Sequence, residues 1–75
     1  MNIYLLKRDD EQIGYDEADS FVVAALGTRA ARELAAKDAG DEGDGAWLEA
    51  GRSTCRKIGE GSLKAAVVLR SFNAG

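Results

Sequence analysis

The chain has 75 residues, with 13 acidic and 10 basic side chains, no histidine and one cysteine. The lack of histidine excludes His-based catalytic triads and histidine metal ligands, and a lone cysteine excludes an internal disulfide and the usual zinc sites. We therefore expect a single domain, residues 1–75, that is not an enzyme and that uses no cofactor and no metal ion.

The apolar runs are short throughout the chain. None approaches the roughly 18 apolar residues of a membrane-spanning helix. The N-terminus also lacks the basic segment, apolar stretch and cleavage site of a secretion signal. We expect no membrane association and a reducing cytoplasm as the compartment, since Cys55 has no cysteine to pair with.

The first half of the chain predicts two strands and a helix. "NIYLLKR" alternates apolar side chains and predicts a strand over residues 2–8, and "SFVVAAL" predicts a second over residues 20–26. "RAARELAAKDA" predicts a helix over residues 29–39, with Thr28 as its N-terminal cap and Gly40 ending it. Its inner face consists of small side chains, so the helix can lie close to a sheet.

The second half predicts a long connection and two more strands. Residues 40–53 are rich in glycine and predict an irregular segment with a short extended piece at 47–48. "TCRKIG" and "LKAAVVLRSF" predict strands over residues 54–59 and 63–72, with Cys55 as a small buried side chain. The order β-β-α-β-β predicts an α+β domain, in which a small antiparallel β-sheet carries one helix packed on one face.

Charge is distributed unevenly along the chain. Residues 9–49 hold twelve acids and three bases, a net charge of −9, whereas residues 50–75 carry a net charge of +4. Such asymmetry affects association with charged partners rather than the fold. The basic last third has no recognised nucleic-acid-binding motif and the whole chain is acidic, so we expect no direct nucleic-acid binding.

The acidic segment "DDEQIGYDEAD", residues 9–19, is too long for an ordinary hairpin connection, and connections of this length are often functional. A second acidic segment, residues 38–49, matches a calcium-binding EF-hand loop at only half of the required positions, so we do not interpret it as one. If both segments emerge at the same end of the sheet, they form one acidic surface.

Two aromatic residues in these segments each allow two interpretations. Tyr15 either packs on the sheet edge or contacts a partner, and Trp47 either covers the small core or anchors a partner. The predicted partner-binding residues combine the acidic and aromatic side chains of both segments: Asp9, Asp10, Glu11, Tyr15, Asp16, Glu17, Asp19, Asp41, Glu42, Asp44 and Trp47.

The stretches "IYLLKRDD", "IGYDEADSFVVAA", "WLEAGRSTCRKIG" and "VVLRSFNAG" resemble a family of small proteins encoded by phages and prophages. The resemblance covers nearly the whole chain, and "GYDEADSFVVAA" and "SFNAG" are its most specific parts. It implies an accessory protein that acts in the cytoplasm of a bacterial host. It implies no catalytic or cofactor residue.

Small acidic phage proteins include inhibitors of host defence, among them anti-CRISPR proteins, and the analogy is independent of fold. An acidic surface can compete with nucleic acid for the basic channels of a CRISPR surveillance complex. We therefore expect a non-catalytic inhibitor that binds CRISPR-Cas subunits as a monomer or weak homodimer. The alternative is a phage structural or regulatory protein that self-associates through the exposed edge of its last strand.

Overall fold

The computed structural model describes residues 1–9, 14, 16–62 and 64–73. Within these residues, four strands and two helices follow one another: β1 (Asn2–Arg8), β2 (Glu17–Ala25), α1 (Thr28–Lys37), α2 (Gly45–Leu48), β3 (Ser53–Glu60) and β4 (Ala66–Asn73). The predicted α+β class is confirmed. The short helix α2 is an addition to the predicted order.

The sheet is antiparallel, with the strand order β3-β1-β2-β4. The first two strands therefore lie at its centre and the last two at its edges. In the register of β1, Leu6 lies opposite Phe21 on one side and opposite Cys55 on the other. Because directly opposed residues share a face, these side chains belong to the face that α1 covers.

The core lies between that face and the two helices. Tyr4 and Leu6 are buried on β1, as the alternation of the strand predicts, and Ala31 and Ala35 are the buried residues of α1. Their small side chains let the helix lie close to the sheet, which confirms the predicted packing. Cys55 is only partly buried and packs at the margin of this core.

The predicted limits of α1 are wrong by a few residues. Gly27, not Thr28, occupies the N-cap position, and its extended backbone makes no side-chain capping bond. The helix ends at Lys37 instead of running to residue 39. The backbone N–H of Asp38 donates to the carbonyl of Ala35 at 3.0 Å, a tight final turn that stops the helix before Gly40.

The predicted extended piece at residues 47–48 is also wrong. These residues belong to α2, because the backbone N–H groups of Trp47 and Leu48 both donate to the carbonyl of Asp44, at 3.0 and 3.1 Å. The helical turn directs the indole ring into the core. There it meets the ring of Phe21 edge to face, with 4.8 Å between centroids and an interplanar angle of 88°.

Candidate protein-binding surface at one end of the sheet

The two acidic segments meet at the end of the sheet where β1 ends and β2 begins. The backbone N–H of Asp41 donates to the carbonyl of Asp16 at 2.6 Å. Ala18 is the second residue of β2, and its backbone N–H donates to Oε1 of Glu42 at 2.9 Å. The segment after α1 is thus fastened to the start of β2, and the condition for one acidic surface is met.

We define the acidic end as the three exposed aspartates Asp9, Asp16 and Asp41. Asp9 follows β1 directly, and its backbone N–H donates to the carbonyl of Arg52 at 3.1 Å. Asp16 has a left-handed backbone, with φ of 58°. Aspartate tolerates this conformation better than most residues, which allows the chain to turn sharply into β2.

Other predicted contact residues are engaged inside the protein. Glu17 pairs with Arg8, with 2.7 Å between Oε1 and Nη1 and with little of either side chain exposed. Asp19 is partly buried and accepts a hydrogen bond from the Ser20 hydroxyl at 3.1 Å. Glu17 thus joins the start of β2 to β1 and supports the acidic end more than it extends it, whereas the contact of Asp19 is with its neighbour in the same strand.

Glu42 and Trp47 form a buried connection beneath the acidic end. The indole Nε1 of Trp47 donates to Oε2 of Glu42 at 2.6 Å, and the side chain of Trp47 is 0% exposed. Of the two interpretations of this tryptophan, the structure shows the one in which it covers the core. No part of its side chain is available to a partner in this conformation.

Asp44 is exposed and borders a different feature of the surface. It lines a groove of about 700 Å³ between α1 and α2, together with side chains of both signs that include Arg29, Glu33 and Lys37. The structure therefore joins Asp16 and Asp41 at the end of the sheet where β1 leads into Asp9, while Asp44 borders the groove between the helices. Asp10, Glu11 and Tyr15 lie outside the described residues, and their assignment to the surface stays a prediction.

Arg32 is a structural residue that the sequence did not single out. Its Nη1 donates to the carbonyl of Trp47 at 2.9 Å and to Oγ of Ser53 at 2.8 Å, and its Nη2 donates to the carbonyl of Ser53 at 2.9 Å. One guanidinium thus joins α1 to both α2 and β3. No pattern in the sequence identifies these partners, because Trp47 and Ser53 are 15 and 21 residues from Arg32 along the chain.

Metal and membrane sites were sought in the part of the chain that the structure describes. No group of three or more cysteine, aspartate or glutamate side chains there is arranged to hold a metal ion. Neither described helix has the length and the apolar composition of a membrane span.

Comparison with protein-family models, with curated proteins and with solved structures finds no match for the chain. The resemblance to small phage-encoded proteins stays a prediction that is based on the four quoted stretches.

Proposed function

We propose that this protein is a non-catalytic inhibitor that covers a basic nucleic-acid-binding surface of a host protein complex, and that it acts as an anti-CRISPR protein on CRISPR-Cas subunits in the bacterial cytoplasm. The observation that supports this most directly is the 2.6 Å hydrogen bond between Asp41 and Asp16, which joins two acidic segments at one end of the sheet. The predicted resemblance to phage-encoded proteins is the reason for proposing a bacterial host.

The acidic end is suited to compete with phosphate groups. Its three carboxylates are exposed, while the backbone of Asp9 is bonded to Arg52 and those of Asp16 and Asp41 are bonded to each other. A surface held in one arrangement before binding loses less conformational entropy when it binds. Carboxylates displayed in this way attract lysine and arginine side chains, and the attraction speeds association at low salt.

The neighbouring carboxylates have a different part in the proposal. Glu17 and Glu42 are neutralised or hydrogen-bonded within the protein, by Arg8 and by Trp47 and Ala18. They keep the acidic end in shape and contribute little charge to a partner. The proposed contact residues are therefore Asp9, Asp16 and Asp41, extended by Asp10, Glu11 and Tyr15 of the same segment.

Competition for target DNA tests the proposal. Purified CRISPR surveillance complexes of several types, each loaded with guide RNA, are mixed with fluorescent target DNA and increasing amounts of the protein. We expect the DNA bound by at least one complex to fall as the protein is added. The effect should weaken as salt rises, because screening acts on exposed charges over roughly 8 Å at physiological ionic strength.

Two matched variants connect the effect to the acidic end. Asp16→Asn/Asp41→Asn removes two charges from it, and asparagine suits the left-handed backbone of residue 16. Glu33→Gln/Glu60→Gln removes two charges elsewhere, since Glu33 lies on α1 and Glu60 lies opposite Asn2 at the other end of the sheet. The first variant should compete weakly and the second like the wild type. No competition with any complex, or equal competition by both variants, contradicts the proposal.

A further inference from the structure

The two edge strands of the sheet differ in how they are protected against pairing with another chain. The sequence of β3 includes Arg56, Lys57 and Glu60, and charged side chains along an edge discourage pairing. The sequence of β4, AVVLRSFN, has one charged residue and neither proline nor glycine. Its Val68 and Leu69 are 51% and 61% exposed. The pairing of β3 with β1 has one irregularity and that of β4 with β2 has two, so the difference in protection lies in the charged side chains and not in the bulges.

The single charged side chain of β4, Arg70, contacts Asp38 of the same chain. Nη1 of Arg70 donates to the backbone carbonyl of Asp38 at 3.1 Å and lies 3.5 Å from Oδ1 of the same residue. Asp38 is the C-cap of α1, so the guanidinium is drawn toward the helix-covered side of the sheet. By the charge of its side chains, β4 is therefore the less protected edge of the sheet.

We propose that β4 is a homodimer interface, at which a second copy of this chain adds its own β4 in the antiparallel direction. The two sheets then continue into one sheet of eight strands, twice the four of each copy, and both α1 helices lie on the same side of it. Backbone hydrogen bonds along the strand hold the copies together, and the exposed side chains of Val68 and Leu69 gain cross-strand neighbours from the second copy.

The charge distribution of the protein determines the direction of pairing. The acidic end lies at the C-terminal end of β4, where Asn73 is opposite Glu17. Lys64 precedes the N-terminal end of the same strand. Antiparallel pairing along the whole of β4 separates the two acidic ends by about 26 Å, eight residues at roughly 3.3 Å each, and brings each one near Lys64 of the other copy. Parallel pairing would place the two acidic ends side by side.

The inference goes beyond the proposed inhibitor function and does not depend on it, because pairing uses the backbone of β4 and needs no partner other than a second copy of the chain. Sedimentation velocity tests it directly. The wild-type protein should shift from the mass of one chain toward the mass of two as its concentration rises to the millimolar range. A chain that stays monomeric up to that concentration overturns the inference.

Matched edge variants locate the interface. Leu69→Lys and, separately, Ser71→Lys place a charge on exposed positions of β4, whereas Ile58→Lys places one on β3 at a residue that is 50% exposed. Circular dichroism checks that each variant folds. We expect both β4 variants to be monomeric under conditions in which the wild type and Ile58→Lys are dimeric. Loss of the dimer in Ile58→Lys alone, or in none of the three, overturns the inference.

Spin labels test the direction of pairing. After Cys55→Ser removes the native thiol, Lys64→Cys carries one nitroxide label per chain. Antiparallel pairing places the two labelled positions about 36 Å apart, eleven residues at roughly 3.3 Å each, whereas parallel pairing places them on adjacent strands within roughly 5 Å. A distance near roughly 36 Å supports the inference, and strong broadening from neighbouring labels overturns the antiparallel arrangement.

Discussion

The indole Nε1 of Trp47 donates to Oε2 of Glu42 at 2.6 Å, while the other oxygen of the same carboxylate accepts from the backbone of Ala18 at 2.9 Å. One side chain of the acidic segment after α1 thus holds the largest core residue and the start of β2 together. The acidic surface and the hydrophobic core are therefore joined through Glu42.

Glu42→Gln should destabilise the protein. A glutamine offers one side-chain oxygen where the glutamate uses two, so one of the two donors loses its acceptor. We expect the free energy of unfolding to fall by about 1–3 kcal/mol. Urea unfolding followed by the fluorescence of Trp47, the only tryptophan, measures the change.

Glu33→Gln is the control for this substitution. Its ion pair with Arg29 spans 3.6 Å and is largely exposed, so its loss should change stability by less than about 0.5 kcal/mol. Equal stabilities of the two variants would contradict the role given to Glu42.

Arg32→Lys should also destabilise the protein, because a lysine ammonium cannot reproduce the planar arrangement that reaches Trp47 and both oxygens of Ser53. We expect a loss of about 1–3 kcal/mol in urea unfolding. Arg29→Lys, at a side chain that is 95% exposed, should leave stability unchanged. A loss in the second variant as large as in the first would show that the effect is not due to these hydrogen bonds.

Gly43→Ala should destabilise the turn that leads into α2. Gly43 has φ of +80°, a conformation that costs an alanine roughly 1 kcal/mol, although a Cβ there would meet no atom within 4 Å. Gly51 has the same open space without the positive φ, so Gly51→Ala is its control. Thermal unfolding should separate the two variants, and indistinguishable midpoints would mean that the backbone of residue 43 is not strained by a side chain.

The thiol of Cys55 should react slowly with iodoacetamide at mildly alkaline pH. Burial raises the pKa of Cys55, and the nearby charge of Arg32 opposes this only in part. The folded protein therefore holds less thiolate than the unfolded chain at the same pH. The same shift favours the folded state below the thiol's unfolded pKa, and this contribution is lost as pH rises through the folded pKa.

Alkylation rates measured across the alkaline range, with and without urea, check this expectation. The rate in the folded state should rise at higher pH than the rate in urea. Coinciding profiles would show that the thiol is as accessible and as acidic in the folded protein as in the unfolded chain.

The sequence predicts those parts of the fold that depend on local patterns. The bounds of β1, Asn2–Arg8, match the prediction because its alternation and β-forming residues are continuous. The four residues of α2 are too few to show a helical period, and their turn depends on the carbonyl of Asp44. The end of α1 likewise depends on the backbone hydrogen bond from Asp38 to Ala35, which cannot be predicted from the pattern of side chains.

The site was predictable only in part for the same reason. The acidic character of both segments is visible in the sequence, but their meeting depends on the hydrogen bond between Asp41 and Asp16, which are distant along the chain. The inward position of Trp47 also depends on a partner, Glu42, that looks like any other surface acid. Separating exposed from internally bonded carboxylates requires the tertiary contacts.

Affinity capture tests the central claim, the acidic end as a partner-binding surface, most directly. Immobilised wild-type protein, Asp16→Asn/Asp41→Asn and Glu33→Gln/Glu60→Gln are exposed to lysate of a bacterium with active CRISPR complexes, and the retained proteins are quantified by mass spectrometry. We predict that surveillance-complex subunits are retained by the wild type and by the Glu33/Glu60 variant, and are lost from the Asp16/Asp41 variant. Retention of these subunits equally by all three proteins, or by none, would contradict the account.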